Sequence, residues 1–316
     1  MSGKEYAGLV STREGFSAGL KALGEKHEDI YVLCADLSES TGTAGFRDEY
    51  PDRFIEMGIS EQDMVGTAAG LALCGKVPFV STYGIFLSGR AWDQVRNTVC
   101  YMDLDVKFGG AHGGISVGPD GATHQALEDI ALMRVIPNMS VIVPSDAYET
   151  EKAVYAAYER KGPVYIRYAR EKTPVYTKRS SPFEFGKGIT VKQGKDIAIF
   201  ACGPVITEVI ASAGILKTRG IDCGVFNLHT IKPIDEKFVL AHASAAKTVF
   251  TVEEHQTAGG LGSAVSELLS MKLPRKVVRL GIDDRFGESG SCAELMKHFG
   301  LDAESLSVRI EREMIP

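Results

Sequence analysis

The segment GGAHGGISVGPDGATHQALEDIA, residues 109–131, carries His112, Asp120 and His124 among glycines at 109, 110, 113, 114, 118 and 121. Glycines at that density predict a loop that shapes itself around a ligand rather than a packed element. One histidine alone would be read as structural, but two with an aspartate between them in such a loop suit acid–base chemistry or hydroxyl recognition. No third imidazole or thiolate falls at a regular spacing from them, so the pattern does not match a metal site. A second chemical group is Glu61, in GISEQDMVGTAAGLALCGKVP, residues 58–78. Ser60 with Asp63 forms a capping-box-like start and Gly75 with Pro78 a stop, which puts Glu61 in the first turn of a helix. The helix dipole by itself favours an acidic residue there, so position alone decides nothing. The next segment, STYGIFLSGRAWDQVRN at 81–97, adds Tyr83 and Phe86. Two aromatics three apart could stack on a planar heterocycle or simply pack in the core.

These groups need a frame that brings separate loops to one place. Short apolar, β-branched runs at 30–35, 77–82, 106–109, 140–143 and 164–168 alternate with helical patterns at 12–26, 61–74, 90–102, 125–135 and 147–160. That alternation predicts βαβ units and a parallel sheet, and ligands of such sheets bind at the carboxyl ends of the strands. Tyr83 and Phe86 stand close to one such end. The stretch 174–188 holds Pro, Gly and a Ser pair without an apolar period, and it reads as a linker. Strand-like runs at 197–201, 223–228, 248–252 and 277–280 then alternate with helices again, predicting a second, smaller α/β domain.

With 316 residues, the chain is long enough for two domains with a substantial core. Its net charge of −6 argues against a broad nucleic-acid footprint. The cysteines, at 34, 74, 100, 202, 223 and 292, form no C-x-x-C pair and are read as free, mostly buried thiols of a reducing compartment. No apolar run approaches the roughly 20 residues that span a bilayer, and the amino terminus lacks an apolar core flanked by basic residues. The expectation is a cytoplasmic protein with no membrane or nucleic-acid partner.

Taken together, GISEQDMVGTAAGLA, STYGIF, GPDGATHQ followed by IPNMSVIVPSD, and VEEHQTAGGLGSAV resemble the transketolase family. The resemblance is to its carboxyl-terminal half and covers essentially the whole chain. It implies two parallel-sheet α/β domains, a pyrimidine-binding domain at 1–176 and a transketolase C-terminal-like domain at 189–316, joined by a linker at 177–188. It also implies thiamine diphosphate as cofactor, with Glu61 pairing to ring nitrogen N1′ and promoting the imino tautomer that removes the thiazolium proton. Tyr83 and Phe86 match the aromatics that hold the pyrimidine. A third family aromatic would fall at Gly89, so the pocket is expected to be more open on that side. Asp36, in ADLSES, matches a residue near the thiazolium, and Ser40 in the same motif matches a phosphate ligand. Either residue could otherwise end a strand or cap a turn. Arg13, in STREG, and Arg170, in YAREK, match ligands of the substrate's terminal phosphate, for which a guanidinium fork is suited. Arg167 is a nearby competitor for that place. His112, Asp120 and His124 are implied to contact substrate hydroxyls, with the two histidines moving protons.

The AGGLGS run at 258–263 lies between a strand and a helix, as a phosphate-binding loop would. It lacks G-x-G-x-x-G spacing and a following Lys-Ser/Thr, and in the family this region is structural and lies at subunit contacts. His229 and His255 are read as structural too. A complete transketolase also carries a G-D-G motif that holds Mg²⁺ and the cofactor diphosphate, and no G-D-G occurs in this sequence. The hard cation needs oxygen ligands, so a separate amino-terminal subunit is implied to supply them, in an assembly of two copies of each chain. The implied reaction is ketol transfer between sugar phosphates, in carbohydrate metabolism. The enzymatic rivals are a 2-oxo acid dehydrogenase beta subunit and the equivalent half of 1-deoxy-D-xylulose-5-phosphate synthase. A scaffolding module that has lost activity would have lost Glu61, Asp120 and His124, and all three are present.

Overall fold

Ser11 accepts a hydrogen bond from the Glu14 N–H and starts a helix at Thr12, and most of the chain repeats that scheme of short strand, turn and helix. In the computed structural model, which describes residues 5–314, the elements begin β1 (Leu9–Ser11), α1 (Thr12–Lys26), β2 (Ile30–Cys34), α2 (Ser38–Thr41), α3 (Ala44–Glu49) and β3 (Phe54–Glu56). They continue α4 (Glu61–Leu73), β4 (Val77–Tyr83), α5 (Gly84–Gly89), β5 (Lys107–Ala111), α6 (Asp129–Arg134), β6 (Ser140–Ile142), α7 (Ala147–Glu159), β7 (Val164–Arg167) and β8 (Lys172–Pro174). The second half runs β9 (Ile189–Lys192), β10 (Ile197–Ala201), α8 (Ile206–Thr218), β11 (Cys223–Asn227), β12 (Thr230–Lys232), α9 (Glu236–Ala245), β13 (Thr248–Gln256), α10 (Leu261–Lys272), β14 (Val277–Ile282), α11 (Cys292–His298) and α12 (Ala303–Met314). The outermost residues of the expected domains, 1–4 and 315–316, lie outside the described residues.

Two parallel-sheet α/β units result. The first is a seven-stranded sheet in the order β12-β6-β7-β5-β4-β2-β3, and the second a five-stranded sheet in the order β14-β13-β10-β11-β9. Each is parallel except for one edge strand: β12 lies antiparallel to β6, and β9 antiparallel to β11. β12 belongs to the second half by sequence and closes the sheet of the first, a crossing that apolar periodicity does not reveal. The core crosses with it. Val80, Phe108, Val141 and Tyr165 pack in one apolar cluster with Phe200, Phe226, Leu261 and Leu269. A wholly buried side chain of this kind is worth about 2 kcal/mol, so the two sheets hold each other firmly.

The 174–188 stretch forms almost no regular structure but is pinned in place. Lys152 Nζ donates to the carbonyls of Lys178 and Ser181, and Asp146 accepts from the Tyr176 and Thr177 amides. Three local expectations need correction. Ser60 precedes α4 but makes no side-chain capping bond. The helix expected over 90–102 instead starts at Gly84, directly off β4, breaks after Gly89, and resumes as wide π-type turns over Gln94–Cys100. Glycine's poor helix propensity fits the break at Gly89. The helix expected from 125 begins only at Asp129, because the backbone at Ala126 is drawn into a bridge with Gly113, its carbonyl accepting from the Gly114 amide at 3.0 Å.

Candidate functional site

The strand order explains why residues far apart in sequence meet. Glu61 follows β3, Asp36 follows β2, Tyr83 ends β4, His112 follows β5 and Arg170 follows β7, and these are consecutive parallel strands of one sheet. All five residues therefore rise from the same carboxyl edge, where open α/β sheets bind ligands. Tyr83 pairs in register with Ala111, which sets its ring against that of His112, centroids 4.0 Å apart.

Glu61 opens α4 and is buried, 4 % exposed, yet its carboxylate borders a cleft of about 430 Å³ lined by Ile59, Ser60, Glu61, Gln62, Asp63 and Arg90. Arg90 Nη1 reaches its oxygens at 3.2 and 3.4 Å. The same guanidinium lies 4.0 Å from the Phe86 ring centroid. Arg90 joins the candidate site through these contacts and was not singled out from the sequence. Its signal was a cation four residues after a candidate ring, a spacing that places both on one helical face. A side chain at Gly89 would meet nothing within 4 Å of its Cβ, so the space that a third aromatic would fill is open.

Tyr83, Phe86, His112 and His124 form a cluster of rings. Tyr83 and Phe86 stack at 5.6 Å, and His124 sets its edge against both, at 5.8 and 5.4 Å. Thr123 Oγ1 lies 2.9 Å from His124 Nδ1 and fixes the ring's orientation. His112 is held with φ of 59°, a left-handed conformation that is uncommon away from glycine. Its Nδ1 is buried with no hydrogen-bond partner among the described residues. Burial, helped by the nearby Arg170 and Arg13 charges, pushes the His112 pKa down to about 3, so its ring stays neutral at ordinary pH. A neutral imidazole presents one donor and one acceptor, which is what hydroxyl recognition requires.

The two candidate phosphate arginines stand side by side. The Arg13 amide donates to the Ala169 carbonyl at 3.3 Å, and the Thr12 hydroxyl accepts from the Ala169 amide at 2.7 Å. Arg13 Nη1 donates to the Ser40 carbonyl at 3.1 Å, and Arg170 Nη1 spans both Asp120 oxygens at 3.0 and 3.1 Å. Arg167 is not available as their competitor: it is 4 % exposed, and its Nε donates to Asp129 Oδ2 at 2.9 Å. Asp36 stands apart from the rings, with φ of 57° and its amide held by Glu56 Oε1 at 2.7 Å.

Elsewhere the polar groups serve the fold. His255 is wholly buried, accepts from the Ala131 amide through Nε2 and donates from Nδ1 to the Gln256 carbonyl. His229 is buried and stacked on Phe183. All the cysteines are free thiols, with Cys34, Cys100, Cys202 and Cys223 buried. A groove of about 630 Å³ lined by Glu14, Lys21, Glu25, Glu49 and Tyr50 contains none of the candidate site residues. Among the described residues no three His, Cys, Asp or Glu side chains are grouped to hold a metal ion, and no helix is long and apolar enough to cross a membrane.

Residues 9–175 match the family model of the transketolase pyrimidine-binding domain, and residues 186–306 that of the transketolase C-terminal domain. The chain is 46% identical over 312 residues to a Methanocaldococcus jannaschii protein named for a transketolase C-terminal section, covering 98% of this chain and 97% of the relative. It is 41% identical over 302 residues to the 1-deoxy-D-xylulose-5-phosphate synthase of Caldanaerobacter subterraneus, covering 95% of this chain but 48% of that protein. Among solved structures, a split-gene transketolase described as an inactive β4 tetramer superposes with a TM-score of 0.89 at 43% identity, covering 96% of this chain and 98% of that one.

Proposed function

The chain belongs to the transketolase family, and from that premise we propose that it is the carboxyl-terminal subunit of a split, thiamine-diphosphate-dependent transketolase. It transfers a two-carbon ketol unit from a ketose phosphate to an aldose phosphate, in complex with an amino-terminal subunit that holds the diphosphate and its Mg²⁺. The observation that carries this reading is Glu61: a buried carboxylate at the mouth of a cleft, one arginine away from the stacked Tyr83 and Phe86 rings. The residues present suit the aminopyrimidine end of the cofactor. Glu61 offers the carboxylate, Tyr83 and Phe86 the aromatic faces, and the open space at Gly89 the room. Thiamine diphosphate, when bound, supplies the nucleophilic carbon and the electron sink that the protein lacks.

This chain's own residues do the rest. Glu61 would share a proton with the pyrimidine nitrogen from its carboxyl oxygens. His112, neutral and with an unpartnered Nδ1, donates or accepts at a substrate hydroxyl, and His124, oriented by Thr123, moves a proton beside it. Arg13 and Arg170, with Ser40, hold the terminal phosphate, and Asp120 orients Arg170 while facing a hydroxyl. Asp36 would face the thiazolium end of the cofactor. The working assembly is a heterotetramer of two copies of each subunit, located in the cytoplasm, with domains at 1–176 and 189–316 and a linker between.

A second reading, the equivalent half of a 1-deoxy-D-xylulose-5-phosphate synthase, is favoured by the 41% identity to that enzyme. Identity weighs against it, because the chain is 46% identical to a transketolase C-terminal section and 43% to a split-gene transketolase, against 41% to the synthase. Co-expression with a diphosphate-binding transketolase subunit tests both. Ketol transfer between phosphorylated sugars is expected only from the pair. Full activity of this chain alone, or consumption of pyruvate in place of a ketose phosphate donor, would overturn the reading.

A further inference from the structure

The loop bearing Asp120 and His124 is held from the other half of the chain. The Ser116 amide donates to Glu254 Oε2 at 3.1 Å, across 138 residues of sequence. Glu254 lies on β13 and is 4 % exposed. Its backbone carbonyl accepts from Arg167 Nη2 at 2.8 Å, and the same nitrogen donates to the Ala126 carbonyl at 2.8 Å. Arg167 is fixed in turn by Asp129, whose Oδ2 also accepts from the Tyr165 hydroxyl at 2.7 Å. The loop is thus clasped near both ends, at Ser116 by Glu254 and at Ala126 by Arg167. The HGG sequence permits that clasp: a Cβ on Gly114 would overlap Glu254 Oε2, and one on Gly113 would overlap Arg167 Nε. Gln125 Nε2 adds a third tie, to the Glu288 carbonyl at 2.9 Å.

A carboxylate is an expensive way to fill a buried strand position, because an apolar side chain of similar volume packs there without the desolvation penalty. Burial raises the Glu254 pKa, opposed by the Arg167 charge and by the bonds from Ser116. What the carboxylate provides, and an apolar residue could not, is an acceptor for the Ser116 amide, which opens the short 3₁₀ segment Ile115–Asp120 and so lacks a partner within it.

We propose that Glu254 is a positioning residue, through which the C-terminal half sets the conformation of loop 113–121 and so aligns Asp120 and His124 with Tyr83, Phe86 and Arg170. Calling this a substrate loop rests on the function proposed above; the positioning itself does not. Amide hydrogen exchange of this chain, measured without partner or substrate, therefore reads it directly. Glu254→Ala is expected to speed exchange in 113–121 about tenfold, the effect of losing one hydrogen bond to a charged group, while β4 and β10 keep their protection. Glu254→Gln, whose amide oxygen still accepts from Ser116, is expected to retain most of the protection. Should Glu254→Ala fail to fold, Ser116→Pro removes the donor from the loop side with Glu254 in place, and the same loss is expected. Unchanged loop exchange in whichever of these two variants folds overturns the proposal. In the assembled enzyme Glu254→Ala is expected to raise the KM for phosphorylated sugar about tenfold with cofactor affinity unchanged, and equal effects on both would contradict positioning. Faster loop exchange in the variant, together with a wild-type assembly that transfers no ketol unit, would sink the proposed function and leave the positioning role standing.

Discussion

Two glycine-rich segments in this chain follow a strand and precede a helix, one at 109–124 and one at 258–263, and their polar groups are used in opposite ways. In the second, Glu253 of the preceding strand turns its carboxylate onto the start of α10, accepting from the Leu261 amide at 2.7 Å and the Gly262 amide at 2.8 Å. Ser263 Oγ accepts from the Gly259 amide at 2.7 Å. The helix-terminal donors where an anion would bind are thus already occupied by an internal one. In the first segment the backbone is tied down by Glu254 and Arg167, while His112 keeps a nitrogen unpartnered among the described residues and Asp120 with Arg170 stays partly exposed. Glycine content and position are alike; what separates a site from a structural turn is whether the side chains spend their hydrogen bonds internally.

The comparison can be broken from either side. The largest effect is expected at the structural turn. Glu253→Ala leaves two buried amides unsatisfied and should cost about 3 kcal/mol in chemical denaturation while kcat of the folded enzyme changes little. A loss of substrate affinity at undiminished stability would make the second segment a binding loop after all. Next is the pH dependence of the first segment. The unfolded chain takes a proton at His112 near pH 6.5 that the folded chain refuses until about pH 3. Its contribution is therefore full above pH 6.5 and lost as pH falls towards 3, at up to about 1.4 kcal/mol per pH unit. His112→Gln should flatten the stability profile between pH 6.5 and 5, and an unchanged slope would show that the ring is not held neutral. The smallest effect is at Arg170. Arg170→Ala should raise the KM for phosphorylated acceptors about tenfold, with unphosphorylated acceptors much less affected. Equal effects on both acceptors would remove Arg170 from the proposed phosphate site.

Much of this was legible in sequence because the repeating unit is local. The helix over 12–26 and the strands at 30, 77, 107, 140 and 164 follow from apolar period, which acts over a few residues. Glu61, Tyr83, Phe86, His112 and Arg170 were named from their motifs, and the parallel strand order then sets them along one edge. What periodicity could not reach are the long-range choices. β12 joins the sheet of the first half through pairing with β6, which no local pattern encodes. Arg167 and Arg170 look alike three residues apart, yet Arg167 ends β7 and turns inward to Asp129, whereas Arg170 lies beyond the strand and meets Asp120. The Arg90–Glu61 pair and the Glu254–Ser116 tie span 29 and 138 residues, so they appear only once the chain is folded.

The central claim is that Glu61 activates a cofactor whose other end is held by a second chain. It is tested most directly in the assembled two-subunit enzyme by comparing wild type with Glu61→Gln for exchange of the thiazolium C2 proton with deuterated solvent. The expected result is exchange slowed by about 10²-fold or more in the variant, the range for losing a positioned acid–base group. Exchange at the wild-type rate would contradict the account, whatever the other residues of the site do.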